Sequence, residues 1–333
     1  MRTAIVGSRT APPTTDDRRL ADALRSAGAD VVEVAWDARG DHDHDSPPDP
    51  PTTLDHASLA LVRAAPADPD ERESFLAWAA AAAERTALLS PVEVLRWNTH
   101  RSYLLELEDR GAPVLPTAWL AHGDRVALAD LLELRGWREV DLLPAVGPHG
   151  AARVGEGTAG LTHEAGQQHL DALLAHGDAL VRLRPSSLAR EGSWTVVVVD
   201  GQVSHAVQIL SPAGRVDDGR AGNDRAGPTG VGRGGDSDAG VIATAVDAAQ
   251  LDADLARLAT WVVEATAADG LALATVELVA DDTGTPQLVA LDAVAPELHL
   301  GVRPAAAPQM ASVVLRAAGS VGPSTGRQAD EPW

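Results

Sequence analysis

The chain has 333 residues, 45% of them hydrophobic and only 3% aromatic, which predicts two or three lobes whose cores are built from Ala, Val and Leu. Its formal charge is −21, from 27 basic and 48 acidic residues, a field that repels a phosphate backbone and excludes nucleic acid as an expected partner. Cysteine is absent, which rules out disulfides, thiolate zinc sites and a cysteine nucleophile, and lysine is absent too, so any phosphate chemistry must run without it.

Arg2–Gly7 reads as a short buried strand running into a turn. Asp16 and Asp17 stand where helix caps belong, and Leu20, Ala23, Leu24 and Ala27 mark an apolar stripe ending at Gly28. Val31 to Trp36 is a second strand, and strand–helix–strand order predicts a parallel, Rossmann-like sheet. Arg39 to Thr53, rich in Asp and Pro, is an expected exposed loop. Leu59 to Arg63 is a third strand, a helix covers Glu71 to Arg85, and the first lobe ends near Ser90-Pro91.

The next stretch is read as helical around Thr99 to Leu107, with a turn at Gly111-Ala-Pro113 and a helix over Val126 to Leu134. A strand, Glu139 to Leu143, enters the glycine-bearing loop Pro144 to Gly150. Gln168 to Ala175 is a helix and Ala179 to Leu183 a strand. Trp194 to Val199 and Val203 to Leu210 flank Asp200-Gly201, a strong hairpin signal. Residues 213–240 form a Gly/Asp/Arg-rich stretch expected to be a mobile loop. Leu251 to Ala268 is an amphipathic helix. Leu271 to Val279 and Gln287 to Leu291 are strands, Ala306 to Ala317 a closing helix, and the last residues a disordered tail. No apolar run nears the ~18 residues of a membrane span, and Met1 to Pro13 lacks the pattern of a secretory leader, so the expected location is the cytoplasm, away from membranes.

Isolated motifs carry little. Gly155-Glu-Gly-Thr-Ala-Gly160 matches G-x-G-x-x-G, but Arg153-Val154 makes a poor strand and no βαβ unit surrounds it, so a loop is expected. Asp41-His-Asp-His-Asp45 alternates metal-ligand types in a proline-rich loop with no scaffold behind it, and a solvated acidic loop is the better reading. His163, His169 and His176 lack the H-E-x-x-H arrangement and read as solvent-facing helix residues. Gly230 to Gly235 lacks the Lys-Ser/Thr of a phosphate loop, and there is no G-x-S-x-G elbow.

A set of segments says more. Leu95-Arg-Trp-Asn-Thr-His-Arg-Ser-Tyr-Leu-Leu105 leads into Gly111-Ala-Pro-Val-Leu-Pro-Thr117, then into Val140 to Gly150. Glu191-Gly-Ser-Trp-Thr-Val-Val-Val-Val-Asp-Gly-Gln-Val-Ser-His-Ala206 and the late strands within Leu273 to Leu300 follow. In order and spacing, over roughly Asp16 to Pro308, the chain resembles the ATP-grasp superfamily. Within it the chain looks closest to stand-alone bacterial proteins that include cyclo-ligases similar to the one in cycloserine biosynthesis.

The resemblance implies an α/β fold (an α+β clamp), with a Rossmann-like preATP-grasp lobe at 1–90, a central lobe at 91–178 and a C-terminal lobe at 179–318. The tail at 319–333 lies beyond it. Such enzymes phosphorylate a carboxylate with ATP and magnesium, so they need cations against the phosphates and carboxylates on the metal. On this chain the resemblance puts Arg101, Gly147, Gly150, Arg153, Arg182 and Glu191 on the nucleotide side. It makes Glu277 and Asp292 the magnesium ligands and Arg63 a substrate-side residue.

Many family positions have changed. The lysine after Trp-Asn-Thr-His is Arg101, the lysine before proline at the central strand's end is Leu143, and a third falls near Gln208 or Ile209. Arg-Val-Asp is Thr275-Val276-Glu277, Glu-Leu-Glu is Ala290-Leu291-Asp292, and the following Glu-Pro is Ala295-Pro296. After Arg63, where family members often carry Ser-Thr-Trp-Asp-Tyr, stands Ala64-Ala-Pro-Ala-Asp68. Losing one preorganised phosphate contact typically costs about 3–4 kcal/mol, a hundredfold or more in rate. Three readings therefore stand side by side. The first is a degenerate ATP-grasp protein, a pseudoenzyme that binds a nucleotide, another small molecule or a protein partner. The second is an active ligase in which Arg101, Arg153, Arg182 or Arg184 replaces the lysines. The third is a binding module with no nucleotide.

Overall fold

The computed structural model describes residues 1–38, 50–155, 160–210, 242–266 and 271–320. Its first sheet is parallel, in the order β2 (Asp30–Ala35), β1 (Arg2–Gly7), β3 (Leu59–Val62). Helix α1 (Thr15–Ser26) connects β1 to β2 and buries Leu20 and Leu24. Thr14 caps this helix, in a capping box with Asp17, rather than either aspartate alone. Asp16 and Asp17 are instead buried and reach other parts of the chain. Helix α2 (Pro69–Ala83) starts on the Asp68 side chain and buries Phe75 and Trp78 in the same lobe.

Thr99 to Leu107 is not one helix. Helices α3 (Val92–Asn98) and α4 (Tyr103–Asp109) are separated by a turn. The Thr99 hydroxyl bonds back to Leu95 O, and the Arg101 N–H leaves the helix to donate to Ala145 O at 2.8 Å. A tertiary bond has overridden local propensity there.

The second sheet is antiparallel, in the order β4 (Thr117–Leu120), β7 (Ala179–Leu183), β5 (Val140–Pro144), β6 (Ala152–Val154). Arg153-Val154 thus belongs to a strand, a short edge strand antiparallel to β5, and Gly155 and Gly160 flank the step to helix α6 (His163–Leu174) with no parallel βαβ unit. One face of this sheet packs Val140, Leu142 and Val181 against α6 and α5 (Leu128–Arg135). His163 and His176 are exposed, and half-buried His169 bonds Gly150 O through Nε2.

The third sheet runs β10 (Ile242–Asp247), β9 (Gln202–Leu210), β8 (Ser193–Val199), β11 (Leu273–Ala280), β12 (Pro286–Asp292), all antiparallel. The β8–β9 turn has positive φ at both Asp200 (53°) and Gly201 (72°), as a two-residue hairpin of this type requires. β10 has no counterpart among the expected strands. Its pairing with β9 supplies the order that its own sequence, Ile-Ala-Thr-Ala-Val-Asp, signals weakly. Short helix α7 (Ser187–Glu191) leads into β8, helix α8 (Ala253–Glu264) covers one face of this sheet, and helix α9 (Ala307–Ser320) packs on α1. The expected loops at 39–53 and 213–240 and the tail at 319–333 fall largely outside the described residues, as do the Asp41–Asp45 cluster and Gly230 to Gly235. No helix among the described residues is long and apolar enough to cross a membrane.

Candidate functional site

A cavity of about 940 Å³ opens at the carboxyl ends of β1, β2 and β3. In open α/β sheets that edge is where ligands bind. Its other walls come from the α3–α4 turn, the loop after β5 and the end of β12. Arg63, Arg101, Gly147 and Asp292 all line it, so four of the expected site residues meet at one place.

Arg63 leaves β3 with its side chain only 4% exposed. Its Nε donates to Asp17 Oδ1 at 2.7 Å and its Nη1 to Pro296 O at 2.7 Å, tying the first lobe to the last. Burial raises the Asp17 carboxyl, but the charge and hydrogen bond of Arg63 and the bonds from Thr14 outweigh it and hold the group below the usual carboxylate range. Next to this pair, Asp16 accepts three consecutive backbone N–H groups, from Leu298 (2.7 Å), His299 (2.9 Å) and Leu300 (2.7 Å).

The Trp-Asn-Thr-His segment acts as a clamp on β12. Asn98 Nδ2 donates to Leu291 O at 3.0 Å, and Asn98 Oδ1 accepts from Ala293 N at 2.7 Å. The Tyr103 hydroxyl accepts the Leu291 N–H at 3.0 Å. Burial pushes the Tyr103 phenol up to about 12, against the opposing effects of that N–H and of the Arg101 charge. Arg101 directs Nη1 at Pro144 O and at Gly147 O (2.8 Å). Burial draws the guanidinium down to about 10, the Arg182 charge acts the same way, and Tyr103 and Glu277 oppose it.

Gly147 holds φ at 69°, and a Cβ there would stand 1.9 Å from Ala67 O. Glycine is required because the loop presses on the chain just before α2. The backbone carbonyl that this loop turns toward Arg101 is what the site uses. Gly150 also has positive φ (85°) but is exposed and lies off the cavity.

The remaining expected residues sit elsewhere. Thr117, Arg182, Asp141 and Arg153 are register partners across β4, β7, β5 and β6, on the sheet face opposite α5 and α6. Arg182, 2% exposed, reaches Asp141 Oδ2 and Val289 O, both at 3.4 Å, so it joins the second sheet to the third. Arg184 bonds Asp141 Oδ1 at 3.2 Å, and Arg153 pairs with Glu139 at 2.6 Å. Glu191 is half exposed, pairs with Arg190 at 3.6 Å, and offers only its backbone carbonyl to Gln208. Glu277 is buried opposite Ala290 and Thr195, one diagonal step from Asp292 on the β11–β12 ladder. Asp292 Oδ1 accepts the N–H groups of Val294 and Ala295, both at 2.9 Å.

Leu143 shares its face of β5 with Asp141 and is 2% exposed, packed with Leu180, Tyr103, Leu288 and Leu291 in one core. Ile209 is buried and Gln208 is engaged with Glu191 O. Sequence reading passed over Asp17, Asn98 and Tyr103 as site residues. Their signal was polar groups set among apolar helix positions, which in a packed helix must find tertiary partners.

A parallel N-terminal lobe followed by two antiparallel sheets that oppose each other across buried Arg182 and the Leu143 core is the ATP-grasp fold, and that is the fold of this chain. The solved structure of the D-cycloserine synthetase DcsG superposes with a TM-score of 0.73 at 22% identity, over 97% of this chain and 100% of that one. D-alanine–D-alanine ligase from Bacillus anthracis gives 0.64 at 13% identity over 97% and 100%. An ATP-grasp RimK domain protein from Sphaerobacter thermophilus gives 0.61 at 21% over 95% and 100%. In sequence, the cycloserine biosynthesis protein DcsG of Streptomyces lavendulae is 31% identical over 157 residues, which are 44% of this chain and 51% of that protein. The chain thus spans about half the length of the curated relative it matches. No protein-family model matches.

Set against a nucleoside triphosphate with its metal, the residues present are short of free cations and of metal ligands at the positions the resemblance names. An apolar side chain fills the position before Pro144, and Arg101 Nη1 is engaged by two carbonyls. Among the described residues no group of three or more His, Asp or Glu is arranged to hold a cation. Two carboxylates a diagonal apart are a sparse set for a metal that must bridge phosphates.

Proposed function

We propose that this chain is a degenerate ATP-grasp protein, one that retains the fold and a ligand-binding cleft but does not carry out phosphoryl transfer. The observation that carries the reading is Leu143. It lies on the inner face of β5, sealed in an apolar core with Leu180 and Leu288, where the resemblance calls for a phosphate-side lysine. A neutral group there offers a phosphate no charge. The solved relatives include a cycloserine synthetase and a D-alanine–D-alanine ligase, and the reading takes from them the clamp and the cleft, not the chemistry.

The test is phosphate release from ATP with magnesium across a panel of carboxylates and amines, run beside calorimetry with the same ligands. The expected result is heat from a small-molecule ligand and no phosphate above the no-enzyme control. ATP-dependent phosphate release that Glu277→Ala abolishes would establish an active ligase instead, with Glu277 and Asp292 holding magnesium.

A further inference from the structure

Each sheet ends in two edge strands, and the fold treats these edges differently. On the outer side of β3, Ala60 donates to Ala87 O at 2.8 Å and accepts the Leu89 N–H at 2.9 Å. Along β6, Arg153 O accepts the Leu161 N–H at 2.8 Å. On β12, Leu288 donates to Pro113 O at 2.7 Å and accepts the Leu115 N–H at 2.9 Å. Of the other three edges, β4 has only four residues, and β2 carries Asp30 and Glu33, paired with Arg2 and Arg25. Short length and edge charges both guard a strand against pairing with another chain.

β10 has neither guard. It runs for six residues, Ile-Ala-Thr-Ala-Val-Asp, with no proline and no charge before Asp247. Its register with β9 is unbroken from Ile242 to Asp247, whereas the β8–β9 and β11–β12 ladders each contain a shift. Among the described residues, no backbone hydrogen bond from outside β9 reaches Ile242 to Val246. Ala243 and Thr244 are exposed. A neutral edge without a bulge, its outer N–H and C=O groups unpaired, is a template for one more antiparallel strand.

Charge selects the occupant. Asp247 is the strand's one ionisable group, and Arg303 neutralises it, so the edge has no free charge to steer an acidic or a basic peptide. A second copy matches the edge instead. Antiparallel pairing of the strand with itself about a two-fold axis at Thr244 sets threonine beside threonine. It also puts the two Asp247 at opposite ends, about 20 Å apart at 3.3 Å per residue, beyond the ~10 Å over which salt screens them.

We propose that β10 pairs with β10 of a second copy of this chain, joining two five-stranded sheets into one of ten. The proposal stands apart from what the cleft binds. The strand contact is small beside the roughly 1,200 Å² of a standard interface, and each copy carries a formal charge of −21. The dimer is therefore weak, and it tightens as salt screens the repulsion between copies.

The experiment is sedimentation velocity on the full chain over a concentration series, at about 0.05 M and about 0.5 M NaCl. The expected result is a monomer–dimer equilibrium that tightens at the higher salt. Thr244→Lys, which sets two ammonium groups at the axis, shifts it at least about tenfold toward monomer with an unchanged circular dichroism spectrum. The chain has no cysteine, so Thr244→Cys supplies its one thiol. Mild oxidation turns that variant into a covalent dimer faster than Asp30→Cys, placed on the β2 edge. Monomer at every concentration and both salts overturns the proposal. So does a dimer that Thr244→Lys leaves intact, association that salt weakens, or a Thr244→Cys cross-link no faster than that of Asp30→Cys. A monomer that binds a peptide of alternating lysine and valine, and loses it in Thr244→Lys, gives the edge to a foreign strand and overturns the second copy.

Discussion

Arg63 and Asp17 form a buried ion pair at 2.7 Å, and the same guanidinium reaches Pro296 O, so one side chain joins the end of β3, the start of α1 and the segment after β12. Breaking such a pair leaves an uncompensated charge in the interior. Asp17→Asn, which leaves the Arg63 guanidinium unpaired, and Arg63→Met, which leaves the Asp17 carboxylate unpaired, are each expected to cost about 3–5 kcal/mol in urea unfolding.

The pair also sets an acid limit. The folded Asp17 carboxyl lies below its unfolded value of 3.8, so its stabilisation is complete above that value and is lost as pH falls through the folded one. Unfolding free energy measured below pH 4 should decline less steeply in Asp17→Asn than in the parent chain.

His205 acts at higher pH. It is fully buried on β9, its Nε2 donates to Leu298 O at 3.2 Å, and its Nδ1 faces the Ser204 hydroxyl. Burial lowers its pKa from 6.5 to about 4, helped by His299 and Arg303 and opposed by the Leu298 carbonyl and Asp16. The unfolded chain takes up a proton below 6.5 that the folded chain refuses until about 4, so stability falls across that window, by on the order of 3 kcal/mol in full. His205→Gln should flatten denaturation midpoints measured between pH 6.5 and 4.

Asp16 serves three backbone donors at once. Asp16→Ala leaves the N–H groups of Leu298, His299 and Leu300 without a partner in a buried segment. A loss of about 3 kcal/mol or more is expected by thermal and urea unfolding, since each orphaned donor costs about 1–3 kcal/mol.

Leu143→Lys separates two meanings of the altered site. If charge alone were missing, the substitution would restore phosphate release from ATP. Packed with Leu180 and Leu288, the new ammonium instead meets an apolar core, and the expected outcome is a stability loss of about 3–5 kcal/mol with no phosphate released.

Much of this architecture was legible in the sequence for local reasons. β1, β5, β7 and the β8–β9 hairpin are apolar runs bounded by their own turn residues, and Asp200-Gly201 has the backbone freedom its turn needs. The segments around Trp97–Tyr103 and Glu191–Ala206 carried the likeness to ATP-grasp proteins, and the three-sheet topology agrees with it. Local pattern failed where the partner is distant. β6 and β10 are strands because β5 and β9 offer them open edges. The α3–α4 break follows Arg101's bond to Ala145 O.

The missing lysines were evident in composition, but composition could not say what took their place. Sequence alone determined that every strong cation is an arginine and that Leu143 stands before Pro144. Tertiary structure decided the rest. It set Arg101 on two carbonyls, Arg182 on Asp141 and Val289, Arg63 on Asp17 and Pro296, and Leu143 in a sealed core. A side chain's charge belongs to its residue type, whereas its availability to a ligand depends on which distant groups reach it first, and only the folded chain brings those groups together.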